Sequence, residues 1–404
     1  MRLLQRWRNG IWGESLLIFF RVGFWVCFAI VGYVYAGYPL LLWIGFFGRR
    51  VGSRRPEEIA AAGELLPFVS VIVAAHNEEA AIAAKIRNVL ASDYPRERLE
   101  ILIGSDGSSD RTEEIVRRHS GEGVGLISFP QQMGKSAIQN GLVAAAAGEI
   151  LVFSDADCEF GPEALRILVW NFADAEVGLV TAAPRYVNEG ETAITRNESA
   201  YLRYESWIRE EESRRGILAM ASGSLFAMRR SLWRPLNREL GDDFELPLRV
   251  AEAGLRNVLE RRAVTVTRLS QVDVGAMLRL KVRIISKDFR ALRTYGSLLN
   301  PFAYGATAVG LWSHKLLRWL VPYFLLGMLA CSVFLAAPFY HAFFSLQVGF
   351  CAVALLGFLW RGRALGFPWS VPASFCIVNL AALLGVWKSL AGRGSGRWTP
   401  VRGQ

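Results

Sequence analysis

The sequence predicts an α/β domain held between transmembrane helices. From Phe68 to Ala183, short apolar runs alternate with helical segments, a pattern typical of a sheet covered by helices. Long runs without Asp, Glu, Lys or Arg lie on both sides of this region, at Val22–Gly48 and Trp319–Trp360. Two carboxylates, Asp155 and Asp157, directly follow one of the predicted strands. These features together indicate a membrane protein whose sheet carries a ligand site.

The apolar runs are long enough to cross a bilayer. A transmembrane helix needs roughly 20 mainly apolar residues, which Val22–Gly48 exceeds. Trp319–Trp360 has room for two spans with a hairpin near Ala336–Pro338, and Ala364–Trp387 is a third apolar segment. The Arg cluster in 49–55 predicts that the following domain is cytoplasmic, although the basic tail would then lie on the opposite side after three spans. We expect a multi-pass protein of the cell (plasma or inner) membrane that contacts membrane lipid.

We divide the chain into seven predicted segments. They are a basic N-terminal segment (1–15), a transmembrane helix (16–48), a basic linker (49–65), a cytoplasmic domain (66–300), an interfacial helix (301–318), two to three transmembrane helices (319–390) and a basic tail (391–404).

Composition excludes several kinds of site. The net charge is +10, but the Arg residues cluster beside the apolar runs, so we expect membrane-flanking charge and no nucleic-acid partner. The 5 Cys show neither a CxxC pair nor zinc-ligand spacing. With only 4 His, a His-based metal site or a Ser-His-Asp triad is not expected.

The alternating region predicts a parallel sheet with helices on both faces. Helices are expected between successive strands. After the last strand, a charged helix is expected over 191–215. The predicted strands are Phe68–Ala75, Leu99–Gly104, Val124–Phe129, Ile150–Ser154 and Val177–Ala183.

The segment Leu151–Asp157 is the most informative stretch. Because side chains alternate along a strand, Asp155 and Asp157 share a face, at the sheet edge where open α/β sheets bind ligands. Mg²⁺ is typically held by one or two carboxylates together with substrate phosphates. An isolated Asp-x-Asp is more often a surface turn, so the surrounding motifs decide between the two interpretations.

Two loops follow the first two strands. In Ala75–Glu79 the acids suit a helix N-terminus or a ligand site equally well. In Gly104–Asp110, Gly107 permits a tight turn and Asp110 can cap the next helix, which leaves Asp106 without a local structural role. Asp106 is therefore a candidate ligand-binding residue.

Two further motifs carry charge. Gly134-Lys135-Ser136 is not a P-loop, because Phe129 stands where that motif needs glycine, but Lys135 at a helix start can meet a phosphate. Asp242 and Asp243 either cap a helix or include a general base for an alcohol. A basic stretch that includes Arg283 either attracts anionic lipid or stabilises a departing phosphate.

In order and spacing, these motifs resemble a family 2 glycosyltransferase. The residues concerned are Val69–Glu78, Ser105–Asp110, Gly134-Lys135 with Asn140-Gly141, Asp155–Asp157, and Asp242-Asp243 with Leu246–Gly254. The resemblance covers about residues 66 to 300, and the flanking apolar segments are similar to those of polysaccharide-synthase-like members. It implies a GT-A (Rossmann-like) mixed sheet and inverting hexosyl transfer from a nucleotide sugar, with Mg²⁺ or Mn²⁺.

The resemblance also implies residue roles. Asn77, Glu78, Asp106, Lys135, Asp155 and Asp157 would bind the donor, for which a UDP-sugar is favoured. Asp157 would also hold the metal, and Asp243 would be the catalytic base. The acceptor and phosphate side would comprise Ser222, Gly223, Asp242 and Arg283. The acceptor would be a polysaccharide or other glycan, or a lipid-linked sugar.

One departure and two alternatives remain. Processive members carry Gln-x-x-Arg-Trp, whereas here Leu280 and Ile284 replace the Gln and Trp around Arg283. This departure disfavours long-chain synthesis. A membrane transporter would need ionisable residues inside its spans, which are scarce after Arg318. A non-catalytic scaffold with a sugar-nucleotide fold would have lost the acids at the strand ends, and these are present.

Overall fold

The computed structural model describes residues 13–47, 66–187, 193–268, 274–359 and 370–392. The basic linker and nearly all of the two basic termini lie outside these ranges. Within them, eight strands form one sheet in the order β3-β2-β1-β4-β7-β6-β8-β5. The strands are β1 Val69–Ala75, β2 Leu99–Asp106, β3 Val124–Phe129, β4 Ile150–Ser154, β5 Glu159–Phe160, β6 Val177–Val187, β7 Leu225–Arg229 and β8 Arg256–Arg268.

The helices of the central domain run between and after these strands. They are α3 Ile82–Leu90, α4 Thr112–Arg118, α5 Lys135–Ala145, α6 Ala164–Trp170, α7 Ala193–Arg214, α8 Asp242–Glu252 and α9 Val274–Thr294. Before the domain come α1 Gly13–Gly32 and α2 Tyr38–Ile44, and after it come α10 Pro301–Gly310, α11 Leu317–Phe334, α12 Pro338–Leu359 and α13 Ser370–Leu390.

The first half of the sheet is parallel, as the alternating pattern predicts. β1 pairs in parallel with β2 and β4, and β2 pairs in parallel with β3. One core contains apolar residues of α3, α4 and α6, while another contains residues of α5 and α8, so helices cover both faces. The carboxyl ends of β1, β2 and β4 consequently open at one edge.

The second half of the sheet is mixed. β7 runs antiparallel to β4 and β6, whereas β6 and β8 are parallel. β8 was not predicted: Val264-Thr265-Val266-Thr267 alternates apolar and polar residues as a strand does, but this short run follows the charged residues 260–262. The antiparallel pairing places the loop before β7 beside the end of β4, where Asp155 N donates to Ser224 O at 3.3 Å.

Four helical segments in the described ranges are long and apolar enough to cross a membrane: Glu14–Ile44, Pro301–Phe334, Pro338–Gly357 and Val371–Leu390. The hairpin expected near Ala336–Pro338 separates α11 from α12. The segment predicted as an interfacial helix, 301–318, is continuous with α11 through a π-helical turn, Leu311–Leu316. A second π-helical turn, Tyr33–Gly37, joins α1 to α2.

A buried polar network joins the domain to the apolar helices at these two π turns. His314 lies between two α7 carboxylates, with Nδ1 2.8 Å from Glu212 Oε1 and Nε2 2.8 Å from Glu205 Oε1. Arg318 also pairs with Glu205, at 2.9 Å, and the Tyr38 hydroxyl donates to Glu212 at 2.7 Å. Although burial opposes ionisation, the charges of His314 and Arg318 hold the pKa of Glu205 well below its usual range. This network fixes α7 against the apolar helices.

We expect His314→Leu to destabilise the protein, because it leaves two buried carboxylates short of a partner. Loss of one partner from a buried ion pair costs about 3–5 kcal/mol. Denaturant unfolding of the full chain in detergent measures this free energy. His119→Leu is the matched control: that imidazole pairs with Glu122, whose side chain is 50% exposed, and an exposed pair is worth about 1 kcal/mol or less. Equal losses in the two variants would contradict a docking role for the network.

Candidate active site

The Asp-Ala-Asp segment forms a tight turn at the end of β4. Cys158 N donates to Asp155 O at 3.4 Å, and this bond closes the turn over Ala156 and Asp157. The Asp157 side chain reaches solvent although other residues crowd around its carboxylate, and no basic side chain of the described residues lies within ion-pair distance of it. Partial desolvation by this crowding, followed by the charge of Asp155, raises the pKa of Asp157. Of the two carboxylates, Asp157 is therefore the one open to a ligand.

Lys135 links the strand end to helix α8. Its ammonium donates to Asp155 Oδ1 at 2.9 Å and lies 3.1 Å from Asp242 Oδ2. Gln139, one turn further along α5, donates to the same Asp242 oxygen at 2.8 Å. Burial alone would lower the pKa of Lys135, but the two carboxylates outweigh burial and raise it. Lys135 is thus held protonated between β4 and α8.

The neighbouring acids of α8 differ in ionisation. Burial opposes the charge on Asp242, but Lys135 and Gln139 outweigh it, so the pKa of Asp242 is lowered. For Asp243, burial and then the adjacent Asp242 charge raise the pKa to about 6. A carboxylate with this pKa is largely ionised at neutral pH and is a better base than an ordinary one.

Two glycines leave space around Asp243. A Cβ at Gly223 would lie 3.6 Å from Asp243 Oδ2 and 4.0 Å from Asp155 Oδ2, so this position separates the two carboxylates. A Cβ at Gly241 would lie only 2.9 Å from Asp243 Oδ1. The backbone N–H of the neighbouring Ser222 donates to the Thr181 side-chain Oγ1 at 2.7 Å, which fixes the position of Ser222. The structure thus brings Gly223, Asp155 and Asp243 to one small space.

Asp106 has the local role that the sequence did not indicate. Its carboxylate is fully buried and accepts hydrogen bonds from Met133 N at 2.5 Å and Gly134 N at 3.0 Å. These bonds tie the end of β2 to the loop that precedes α5. The reasoning that Asp106 lacks a structural partner is therefore wrong, and its contact with a nucleoside stays a prediction.

The loop after β1 is tied to the loop after β2. Asn77 has φ 54°, a left-handed conformation that Asn tolerates, and its Oδ1 accepts from Ser109 N at 2.8 Å. Glu78 N donates to Thr112 Oγ1 at 2.8 Å. Asn77 and Glu78 consequently stand at the same sheet edge as Asp106.

Helix α9 adds residues to the other side of the site. Burial lowers the pKa of Lys287, and the charges of Asp242 and Asp243 partly offset this effect. Arg283 lies one turn earlier on the same helix, and burial lowers its pKa. A Cβ added at Gly241 would lie 3.3 Å from Asp288 Oδ1, so this carboxylate faces the same space as Asp243. Burial and the charge of Asp243 raise the pKa of Asp288 well above its usual range.

Sequence reasoning missed Gln139 and Asp288. Gln139 lies within an ordinary helical pattern that gives no signal of its contact with Asp242. Asp288 had one signal, because it is a single acid within the basic stretch of α9.

The donor set at the Asp-Ala-Asp turn suits a hard cation that also binds phosphate. Among the described residues, no group of three or more His, Cys, Asp or Glu is arranged to hold a metal ion by itself. Asp157, with Asp155 beside it, offers only carboxylate oxygens. Mg²⁺ commonly takes one or two carboxylates and completes its shell with water and phosphate.

Comparison with known families agrees with this geometry. Residues 70–235 match the model of glycosyl transferase family 2. The chain therefore contains a family 2 glycosyl transferase domain, as the motif order predicts. The matched range includes the turn at Asp155 and ends before Asp242.

Two curated relatives share part of the chain. The probable glycosyltransferase YdaM of Bacillus subtilis is 32% identical over 201 residues, which is 47% of this chain and 48% of the relative. The beta-monoglucosyldiacylglycerol synthase of Trichormus variabilis is 30% identical over 195 residues, or 46% of this chain and 41% of the relative. The chain thus spans less than half the length of either relative.

One solved structure shares the fold along most of the chain. It is the mannosyltransferase PcManGT of Pyrobaculum calidifontis, in complex with GDP-Man and Mn²⁺. The TM-score is 0.69 at 20% identity, with coverage of 92% of this chain and 99% of that one. This likeness confirms the predicted GT-A fold with a mixed sheet.

The raised pKa of Asp243 predicts a measurable acid limb. If Asp243 is the catalytic base, only its deprotonated form supports turnover, so activity should rise with pH through a midpoint at about 6. Asp242→Asn removes the neighbouring negative charge, which should lower the pKa of Asp243 and shift the limb down by about one pH unit. The measurement is kcat/KM against pH from 4.5 to 8, because this ratio reports groups of the free enzyme.

Asp242→Glu is the control, because it keeps the negative charge and should keep the limb near its original pH. An acid limb at the same pH in wild type and Asp242→Asn would contradict the electrostatic origin of the raised pKa.

Proposed function

We propose that this protein is a membrane-bound, inverting glycosyltransferase of the hexosyltransferase type. It would move a sugar from a nucleotide sugar to an acceptor hydroxyl at the membrane. The observation that carries the proposal is the placement of Asp243, whose raised-pKa carboxylate faces Asp155 across the space at Gly223. A base and a donor-side carboxylate on either side of a small space are what a single displacement requires.

On the donor side, Asn77, Glu78 and Asp106 would hold the nucleoside. All three stand in or beside the joined loops at the ends of β1 and β2. Lys135 would lie near the diphosphate, where its fixed positive charge favours an anion. A UDP-sugar is the donor that the sequence favours, while PcManGT was solved with GDP-Man, so the nucleotide is a variable of the assay below.

The proposed metal ligand is Asp157, with Asp155 beside it, and the ion would be Mg²⁺ or Mn²⁺. Two observations support this choice: Asp157 is exposed, and Asp155 is occupied by Lys135. The presence of Mn²⁺ in the PcManGT complex agrees with it. When bound, such an ion offsets the charge that develops on the departing diphosphate.

The chain's own residues would carry the proton transfer. Asp243 would accept the proton of the acceptor hydroxyl as that oxygen attacks the anomeric carbon. The bond from this carbon to the diphosphate oxygen breaks on the opposite face, which inverts the configuration. Lys135 keeps Asp242 ionised, and the Asp242 charge in turn keeps Asp243 basic. Ser222, Gly223 and Arg283 would line the acceptor and phosphate side.

A lipid-borne acceptor is favoured over a soluble one. The loop before β7 continues from the site to the apolar helices, where Lys315 donates to Met220 Sδ at 2.7 Å and Ala219 packs in a core with Trp319. An acceptor anchored in the bilayer would therefore reach Asp243 from the membrane side. The relation to a beta-monoglucosyldiacylglycerol synthase supports this choice, and a growing glycan is the alternative acceptor. The domain would face the cytoplasm.

We predict that Asp243→Asn lowers transfer by at least about 10²-fold, because loss of general-base catalysis removes a factor of about 10²–10⁴. Donor binding should persist, since the amide keeps the shape of the side chain. The assay supplies radiolabelled UDP- and GDP-sugars to membranes that hold the protein and separates lipid from polymer products.

Glu252→Gln, at the far end of the same helix, is the matched control and should keep wild-type activity. Equal activity of Asp243→Asn and wild type would refute the base assignment. Label in the polymer fraction alone would refute the lipid acceptor.

A further inference from the structure

Lys85 is a fully buried ammonium beneath the Asp-Ala-Asp turn. It lies on α3 and is 1% exposed, and it is a charged residue among the apolar side chains Ile82, Ile86 and Val89 of the same helix. Burial lowers the pKa of Lys85, against the opposing effects of Cys158, Asp155 and Asp157. Among the described residues, no carboxylate lies within ion-pair distance of its Nζ. Such a charge is costly to bury unless its hydrogen bonds are satisfied.

The hydrogen bonds of Lys85 go to both ends of the turn. Nζ donates to Ser154 Oγ at 2.7 Å and to Cys158 O at 2.5 Å. The ammonium also lies 4.8 Å from the centre of the Phe160 ring, a cation–π contact. An ammonium has three N–H donors, of which two make these hydrogen bonds, and the ring supplies a further favourable contact for the charge.

The residues that Lys85 joins enclose the segment 155–157. Ser154 is the last residue of β4, and Cys158 ends the turn that its own N–H closes on Asp155 O. Ser154 Oγ in turn lies 3.0 Å from Ser224 O, next to the acceptor-side glycine. Lys85 therefore fixes the spacing between the strand end and the turn end from the buried side of the turn.

We propose that Lys85 is a positioning residue, which holds the Asp155–Asp157 turn in the geometry that lets Asp157 bind a divalent cation together with a nucleoside diphosphate. This inference rests on the proposed metal role of Asp157. Lys85 does not touch substrate. It acts by clamping the backbone and the strand end that carry the ligand residue.

An alternative role for Lys85 makes a different prediction. If Lys85 acted only as a nearby positive charge, its removal would strengthen cation binding, because like charges repel. If it only filled the core, its removal would lower stability and leave cation binding unchanged. A clamp predicts weaker cation binding, because residues that orient metal ligands are worth about 10–100-fold in affinity.

The test measures Mn²⁺ binding by the full chain in detergent, with UDP or GDP present. Electron paramagnetic resonance detects the free Mn²⁺ that remains. Lys85→Met removes the ammonium and keeps the chain length, and we expect the Mn²⁺ Kd to rise by about tenfold or more. The nucleotide Kd in EDTA should change less than about twofold. Arg87→Met, an exposed site on the same helix, is the matched control and should keep the wild-type Kd.

Three results would overturn the proposal. An unchanged or lower Mn²⁺ Kd in Lys85→Met would refute the clamp while leaving the metal role of Asp157 intact. Absence of nucleotide-dependent Mn²⁺ binding in wild type would refute the metal role itself and the clamp with it. If Lys85→Met does not fold, Ser154→Ala removes one anchor and keeps the charge; a several-fold rise in Kd supports the clamp, and an unchanged Kd refutes it.

Discussion

The ion pairs of Lys135 with Asp155 and Asp242 are the interaction on which the rest of the site depends. One ammonium joins the end of β4 to the start of α8, two elements far apart in the sequence. It pairs with two of the carboxylates that meet here, and the remaining ones, Asp157, Asp243 and Asp288, keep distinct properties. Asp157 stays open to solvent, while Asp243 lies beside an ionised neighbour that raises its pKa. These carboxylates would repel each other more strongly without this cation, and their different properties follow from where it lies.

The mixed sheet explains why these groups can meet. The parallel strands β1, β2 and β4 end at one edge, which collects the loops proposed to bind the donor. The antiparallel strand β7 returns to β4 and brings Gly223 and Ser224 to the same edge from the opposite direction. Helix α9 then covers the site with Lys287 and Asp288, and it packs along α13. The buried network at His314 holds α7 against the apolar helices.

Much of the fold could be predicted from the sequence. The bounds of β3 and β4 agree with prediction at both ends, because each is a short run rich in apolar residues between polar loops. β8 was missed although Val264–Thr267 alternates like a strand, because the run is short and lies between Arg-rich stretches. The acids at the strand ends were visible as motifs, but their partners were not. The contacts of Lys135 with Asp242 and of Asp106 with Gly134 depend on how α5 packs, and Asp288 reaches the site only through the tertiary position of α9.

The division of roles among the carboxylates is tested most directly by locating the cation. We would determine the structure of the full chain in detergent with Mn²⁺ and the nucleoside diphosphate that binds, by crystallography with Mn anomalous scattering. The account predicts one Mn²⁺ peak against the Asp157 carboxylate and the diphosphate, with Lys135 still between Asp155 and Asp242. A peak held by Asp242 or Asp243, or a Lys135 side chain turned away from both of its partners, would contradict it.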